Sequence, residues 1–296
     1  MTNRLSATFP RQVDLKEMET TQKAARRSLA NWGFILSLLV VGMVISLPVK
    51  AAPALGQQLP NASADLSRIA SGQWKVNDDA CPKPAKVAPK TADELTAAAK
   101  APADAIILFN GTDLSAWKPS KWIVKDGYVE VVPKTGYLTS KDSFGSCHLH
   151  LEWWTQNPAV GALQMRGNSG VFLMSRYEVQ VLDTYDNPTY ADGIAGAIYG
   201  QKPPSVNPIR PPGQWQYYDI EFHRPIFDAD KKLVKPATMT VDFNGIRVQD
   251  NTVVEGSTGP HHRHGYDAHA DKQPLQLQEH GCTVRFRNVW LEPIAD

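Results

Sequence analysis

The chain is poor in cysteine, lacks a charge imbalance and has no apolar run of the length an ordinary membrane-spanning helix needs. Each shortage removes a class of protein. Three cysteines in 296 residues, Cys81, Cys147 and Cys282, are too few for a disulfide-stapled scaffold, and none stands in the Cys-x-x-Cys spacing that holds zinc. In an oxidising compartment they leave room for one disulfide and one unpaired thiol, and their spacing does not choose the pair. The 31 basic and 30 acidic side chains leave a formal net charge of +1, so no field gathers a polyanion and nucleic acid is not an expected partner. Long helices are also not expected, because 22 prolines and 20 glycines imply frequent turns. What remains is a hydrophobic content of 42%, enough for a core, and a length that a single sandwich or barrel can use.

The longest apolar stretch, Trp32 to Leu47, is short for a span and is preceded by Lys23, Arg26 and Arg27. Pro48 ends it, and Val49-Lys50-Ala51 or Ala52-Pro53-Ala54 supplies a small-residue cleavage site. This is the pattern of a secretory signal. Residues 1–51 are therefore expected to be a signal peptide, or a signal anchor if a tilted segment is retained. The n-region is long enough that Met18 is an alternative start, and Arg26-Arg27-Ser28-Leu29 is a weak likeness of a twin-arginine signal. The expected location is periplasmic or secreted, with stable membrane contact only if the segment stays attached.

Residues 52–103 are rich in Ala, Pro, Lys and Asp and show little periodicity, as a linker or mobile arm would. Thr91 and Glu94 form a capping-box pattern ahead of one short helix from Leu95 to Lys100. Residues 104–296 differ. Short β-like runs separated by Gly, Asn, Asp and Pro predict an all-β sandwich. Candidate strands are Ile106 to Phe109, Trp122 to Val124, Tyr128 to Val132, Cys147 to Trp154, Gly170 to Met174, Tyr177 to Leu182, Tyr217 to His223, Ala237 to Phe243, Ile246 to Gln249, Leu275 to Gln278 and Val284 to Leu291. Asp126-Gly127 and Asn244-Gly245 are hairpin signals. Ala237, Met239, Val241 and Phe243 share one parity, which buries one face. The run Gly170 to Met174 is apolar on both faces and predicts a central strand. Thr184 to Gln214 and Glu255 to Pro274 read as long irregular loops, the sort that form lids or binding loops.

In the strand from Tyr177 to Leu182, Glu178 and Gln180 fall on the polar parity. Asp183 joins them only if a bulge or the strand end turns it over. This spacing resembles the bulged acidic strand of laminarinase-like endoglucanases, where the middle residue is Asp and the last is Glu. Gln180 argues against that family's retaining mechanism, which needs two carboxylates about 5–5.5 Å apart. Gln276, Gln278 and His280 continue a polar stripe, and Arg285 and Arg287 alternate with Val284 and Phe286. Guanidinium or imidazole groups can stabilise an oxyanion, and amides suit sugar hydroxyls.

A longer set of motifs occurs in order. It comprises Leu108-Phe109-Asn110-Gly111-Thr112-Asp113-Leu114-Ser115-Ala116-Trp117, Trp122 with Asp126-Gly127, Asn168-Ser169-Gly170-Val171, and Tyr177-Glu178-Val179-Gln180-Val181-Leu182-Asp183. Gly196-Ala197-Ile198-Tyr199, Gly213-Gln214-Trp215, Leu275-Gln276-Leu277-Gln278-Glu279-His280-Gly281 and Val284-Arg285-Phe286-Arg287-Asn288-Val289-Trp290 complete it. Over Asp104 to Ile294 the chain resembles the 3-keto-disaccharide hydrolase domain family. Gly213-Gln214-Trp215-Gln216 departs from that family's usual Gly-Glu-Trp-Asn, and His261 to His269 follows it only loosely.

The resemblance implies a concanavalin-like jelly-roll β-sandwich acting on glycosides oxidised at C3. A C3 ketone acidifies the C2 proton, so one carboxylate can remove it while an acid assists departure of the C1 substituent. Glu178 or Asp183 is the candidate base and His280 the candidate acid. Arg166, Asn168, Gln180, Tyr199, Gln278 and Arg287 are the substrate-binding candidates, and a small 3-keto-glycoside is the expected partner. No cofactor is required by this scheme, although His261, His262, His264 and His269 offer a weak set of donors for a divalent metal. Two rivals stand beside it. A lectin-like binding module would stack sugars on Trp117, Trp153, Trp154 or Tyr199 without a positioned acid and base. A hydrolase of unmodified glycans would need a second, suitably spaced carboxylate.

Overall fold

A computed structural model of the chain describes residues 65–296. The signal segment, Met18 and the first part of the arm lie outside the described residues. One helix, α1 (Ala92–Ala98), precedes the strands β1 (Ile106–Phe109), β2 (Ile123–Lys125), β3 (Tyr128–Glu130), β4 (Leu138–Phe144), β5 (Cys147–Thr155), β6 (Ser169–Leu173) and β7 (Tyr177–Val181). There follow β8 (Trp215–His223), β9 (Ile226–Phe227), β10 (Leu233–Lys235), β11 (Thr238–Phe243), β12 (Ile246–Val253), β13 (Gln273–Leu277) and β14 (Val284–Pro293).

Two antiparallel sheets make up the mostly β body. The larger has the order β12-β11-β8-β5-β14-β3-β2 with β1 beside β14, and the smaller the order β4-β13-β6-β7. Strand alternation explains how they meet. Leu149, Leu151 and Trp153 of β5, Tyr218, Ile220 and Phe222 of β8, and Met239, Val241 and Phe243 of β11 turn into one core. Val171 and Leu173 of β6, Tyr177, Val179 and Val181 of β7, and Leu275 and Leu277 of β13 join the same core from the smaller sheet. Burial of these side chains is the main driving force for closing the sandwich. Asp126 and Gly127, and Asn244 and Gly245, all take positive φ and turn the chain between β2 and β3 and between β11 and β12.

Two features differ from expectation. The edge strand β4 was not legible, because Lys141, Asp142 and Ser143 are exposed and interrupt its alternation; charges on an edge strand also discourage pairing with other chains. The second concerns the arm. From residue 65 onward it is largely irregular but packed, not a free linker. Ile69, Val76 and Cys81 are buried with Ala191, Lys86 bridges Asn207, and Leu95 and Ala99 pack with Tyr217. Helix α1 does carry the Thr91–Glu94 capping box. Cys81, Cys147 and Cys282 are all unpaired thiols, so no disulfide contributes.

Candidate active site

The outer face of the smaller sheet carries two polar rows set by strand register. Gly170 faces Gln180 and Phe172 faces Glu178 across β6 and β7. The Gln278 N–H donates to the Gly170 carbonyl at 2.9 Å, which brings Gln278 into the first row. β7 is an edge strand, and its open backbone is satisfied by the two long loops. Glu178 N–H donates to Thr258 Oγ1 at 3.1 Å, while Tyr199 N–H donates to the Glu178 carbonyl at 3.2 Å and Gln180 N–H to the Ala197 carbonyl at 3.0 Å. The loops thereby roof a cleft of about 360 Å³ lined by Glu178, Gln180, Gln278, His280, Asn168 and Tyr199.

Glu178 is 4% exposed, and among the described residues no hydrogen bond reaches its carboxylate. Burial without a compensating charge pushes its pKa up to about 8, since a low-dielectric site disfavours the ionised form. Gly170 makes this placement sterically feasible: a Cβ there would collide with Glu178 Oε1. The flanking amides are oriented by their nitrogen ends. Gln180 Nε2 donates to Gln164 Oε1 at 3.1 Å and Gln278 Nε2 to the Tyr137 hydroxyl at 3.0 Å. The Oε1 atoms of both glutamines are buried and unpartnered, so each can accept a hydrogen bond from a hydroxyl brought into the cleft.

The Tyr190 and Tyr199 hydroxyls are 2.8 Å apart. Burial raises both phenol pKa values, and the nearby Glu178 charge adds to it, which keeps the protons on as donors. Behind them Asp192 is fully buried; burial raises its pKa, against a hydrogen bond from Asn77. That Asn77 N–H donates to Asp192 Oδ2 at 2.8 Å, and Asn77 Oδ1 accepts from His261 N–H at 2.9 Å. The packed arm thus ties together the two loops that roof the cleft.

Several sequence-based assignments are corrected by position. Asp183 does not join Glu178: β7 ends at Val181, and Asp183 turns away to accept from Arg166 Nε at 2.8 Å and from Tyr185 N–H at 3.1 Å. Arg166 is held in that pair and against the Tyr185 carbonyl at 2.8 Å, so neither lines the cleft. Arg287 lies on the outer face of the other sheet, donating to Glu152 Oε2 at 2.6 Å and stacking over Trp215. Trp117 and Trp153 fill the core, and Trp154 lies beneath Arg285 on that same distant face. Of the four loop histidines, His269 is held by the Tyr177 hydroxyl at 2.6 Å. Among the described residues no cluster of three or more His, Cys, Asp or Glu is arranged to hold a metal.

The structure also adds residues. Phe172 shares the outward parity of Gly170 and was legible in principle; Tyr137, Tyr190 and Thr258 lie on irregular segments and Gln164 and Asp192 on single 3-10 turns, none long enough to carry a periodic signal. A larger hollow of about 620 Å³ lies between the arm and Tyr185, Ile209 and Arg210. Its lining has no carboxylate and no histidine, whereas the smaller cleft has both Glu178 and His280.

The family model of the 3-keto-alpha-glucoside-1,2-lyase-like domain matches residues 104–292. A solved structure from Parabacteroides distasonis, described as a "putative glycosyl hydrolase", is 38% identical with a TM-score of 0.64, over 72% of this chain and 93% of that one. A second structure of the same description and organism is 19% identical with a TM-score of 0.46, over 70% of this chain and 98% of that one. No curated protein matches the sequence.

Proposed function

The chain belongs to the family of 3-keto-alpha-glucoside-1,2-lyase-like domains, and from that premise we propose an exported enzyme that cleaves 3-keto-glycosides by removing the C2 proton. The observation that carries this reading is a single buried, unpaired carboxylate in a polar cleft. Glycosidases acting on unmodified sugars by the usual route need two carboxylates, and among the described residues Glu178 is the only carboxylate lining this cleft. A ketone at C3 removes that requirement, because one base and one acid are then sufficient.

In the proposed reaction Glu178 takes the C2 proton, and its electron pair forms the enolate across C2 and C3. Tyr199, whose phenol stays protonated, donates to the developing enolate oxygen. Collapse of the enolate restores the C3 ketone, forms the C1–C2 double bond and expels the C1 oxygen substituent, to which His280 supplies a proton. Addition of water to the resulting enone at C1 then gives net hydrolysis. Gln180 and Gln278 orient the sugar by accepting from its hydroxyls, and Asn168 lies beside them. A pKa near 8 suits Glu178 to this role, as a base works best when its pKa lies near the operating pH. A lectin would gain nothing from a buried carboxylate without a partner, since holding it there disfavours its charge. We read the sandwich as the concanavalin-like jelly-roll type, and the signal-like segment at residues 1–51 supports action outside the cytoplasm.

Incubating the protein in deuterated water with a 3-keto-glucoside and its unoxidised parent tests the proposal. Cleavage of the keto compound alone, with deuterium at C2 of the hydrated product, is the expected result. Equal cleavage of both compounds, or product without deuterium at C2, would reject it.

A further inference from the structure

Resting on that reading, we propose that the cavity beside the cleft is a leaving-group subsite shaped for an apolar, aryl aglycone. The cavity measures about 350 Å³ and lies between the 157–167 loop and the Gly281–Thr283 turn. It adjoins the cleft along the chain. Asn168 and His280 line the cleft, while their chain neighbours Gly167 and Gly281 line the cavity. The acid proposed for the leaving oxygen therefore stands at the divide between a sugar-sized space and a second one.

The second space has an apolar lip. Val160 and Met165 line it, and with the neighbouring Leu163 they are 59%, 58% and 51% exposed. Three large exposed apolar side chains within six residues form a patch, and such patches mark binding surfaces. The loop holds them out at a conformational cost. Leu163 has φ +53°, a left-handed conformation that a bulky residue rarely adopts. Asn187 clamps it there from both sides, accepting from Leu163 N–H at 2.8 Å and donating to its carbonyl at 3.0 Å. Gly161 closes the turn, where a Cβ would collide with the Met165 carbonyl. A loop constrained in this way presents a preorganised surface, and preorganisation lowers the entropy lost on binding.

The floor of the cavity does not compete for a second sugar. Asp183 and Arg166 face it but are already paired with each other. Cys282, Thr155, Thr283 and the exposed Gln156 complete the lining. An apolar cavity of about 150 Å³ accommodates benzene, so this one has room for a one- or two-ring aglycone.

Two substrates and two variants test the subsite: the 3-keto forms of a phenyl glucoside and of a glucosyl-glucose disaccharide. Val160→Ser with Met165→Ser should lower the ratio of kcat/KM for the phenyl compound to that for the disaccharide by about tenfold, mainly through KM, as expected for lost apolar contact. Met165→Leu should keep the ratio within about twofold of the parent by the same reasoning. An unchanged ratio in the double variant, with both substrates turned over, would overturn the subsite while leaving the proposed reaction standing. Turnover of neither substrate by the parent protein would reject the reaction and the subsite together.

Discussion

At the scale of residues, Glu178 concentrates the physics. Its ordinary carboxyl value is 4.5 and its folded value about 8, so between these pH values the folded chain holds a proton that the unfolded chain releases. Stability is therefore lost as pH rises through that window, by linkage. Glu178→Gln should raise the melting temperature more at pH 8.5 than at pH 4, a comparison that thermal scans at the two pH values make directly. The same substitution should lower turnover of a 3-keto-glucoside by about a thousandfold or more, on the scale of losing an essential catalytic group. In the parent protein kcat/KM should climb with pH toward about 8, because the ionised form is the base; a flat profile between pH 6 and 8 would contradict this. Gly170→Ala tests the steric side. The added methyl would meet Glu178 Oε1 and displace the carboxylate, so turnover should fall by about tenfold to a hundredfold, the range a small misplacement of a reacting group produces, with the circular dichroism spectrum retained. Glu178 itself was legible from parity alone. Asp183 was not placed correctly, because its contribution depended on how the strand ended, and the nearby Arg166 settled that.

At the scale of elements, the roof of the cleft depends on the arm. Its residues 65–81 supply Ile69, Val76 and Cys81 to the cluster with Ala191 and the Asn77 link between the two loops. Arg263, in the second loop, pairs with Glu255 and donates to the Asp65 carbonyl at 3.0 Å. Removing residues 65–81 should leave the β-sheet spectrum intact, since both sheets are built from later residues, and should lower kcat by about tenfold, the order expected when a positioning element is lost. Activity and circular dichroism measured on the same preparation check both halves. The strands around the core were readable because their alternation is a local pattern with a period of two. The arm was not, because an irregular segment that docks through four or five side chains has no period to detect.

At the scale of the whole molecule, the two sheets have separate outer faces with separate duties. The smaller sheet carries the cleft. The larger carries an Arg285–Glu130 pair and a group of Arg287, Glu152, His150 and Trp290 in contact with one another, tied to the end of α1 through hydrogen bonds from Asn288 and Trp290 to the Ala99 carbonyl. Arg287→Ala should therefore leave kcat and KM near the parent values while costing about 1–3 kcal/mol of stability, because Glu152 is left buried with fewer partners. Denaturant melts and steady-state kinetics separate the two effects. The local order of residues was enough to set strand positions, hairpin turns, which side chains point inward and the outward placement of Glu178, Gln180 and Arg287, all of which follow from chain stereochemistry over a few residues. Which sheet each strand joins was decided only by tertiary pairing. Parity distinguishes inside from outside, but it is blind to the two different outsides of a sandwich, so Gln278 and Arg287 looked equivalent until long-range registry put them on opposite sides of the core.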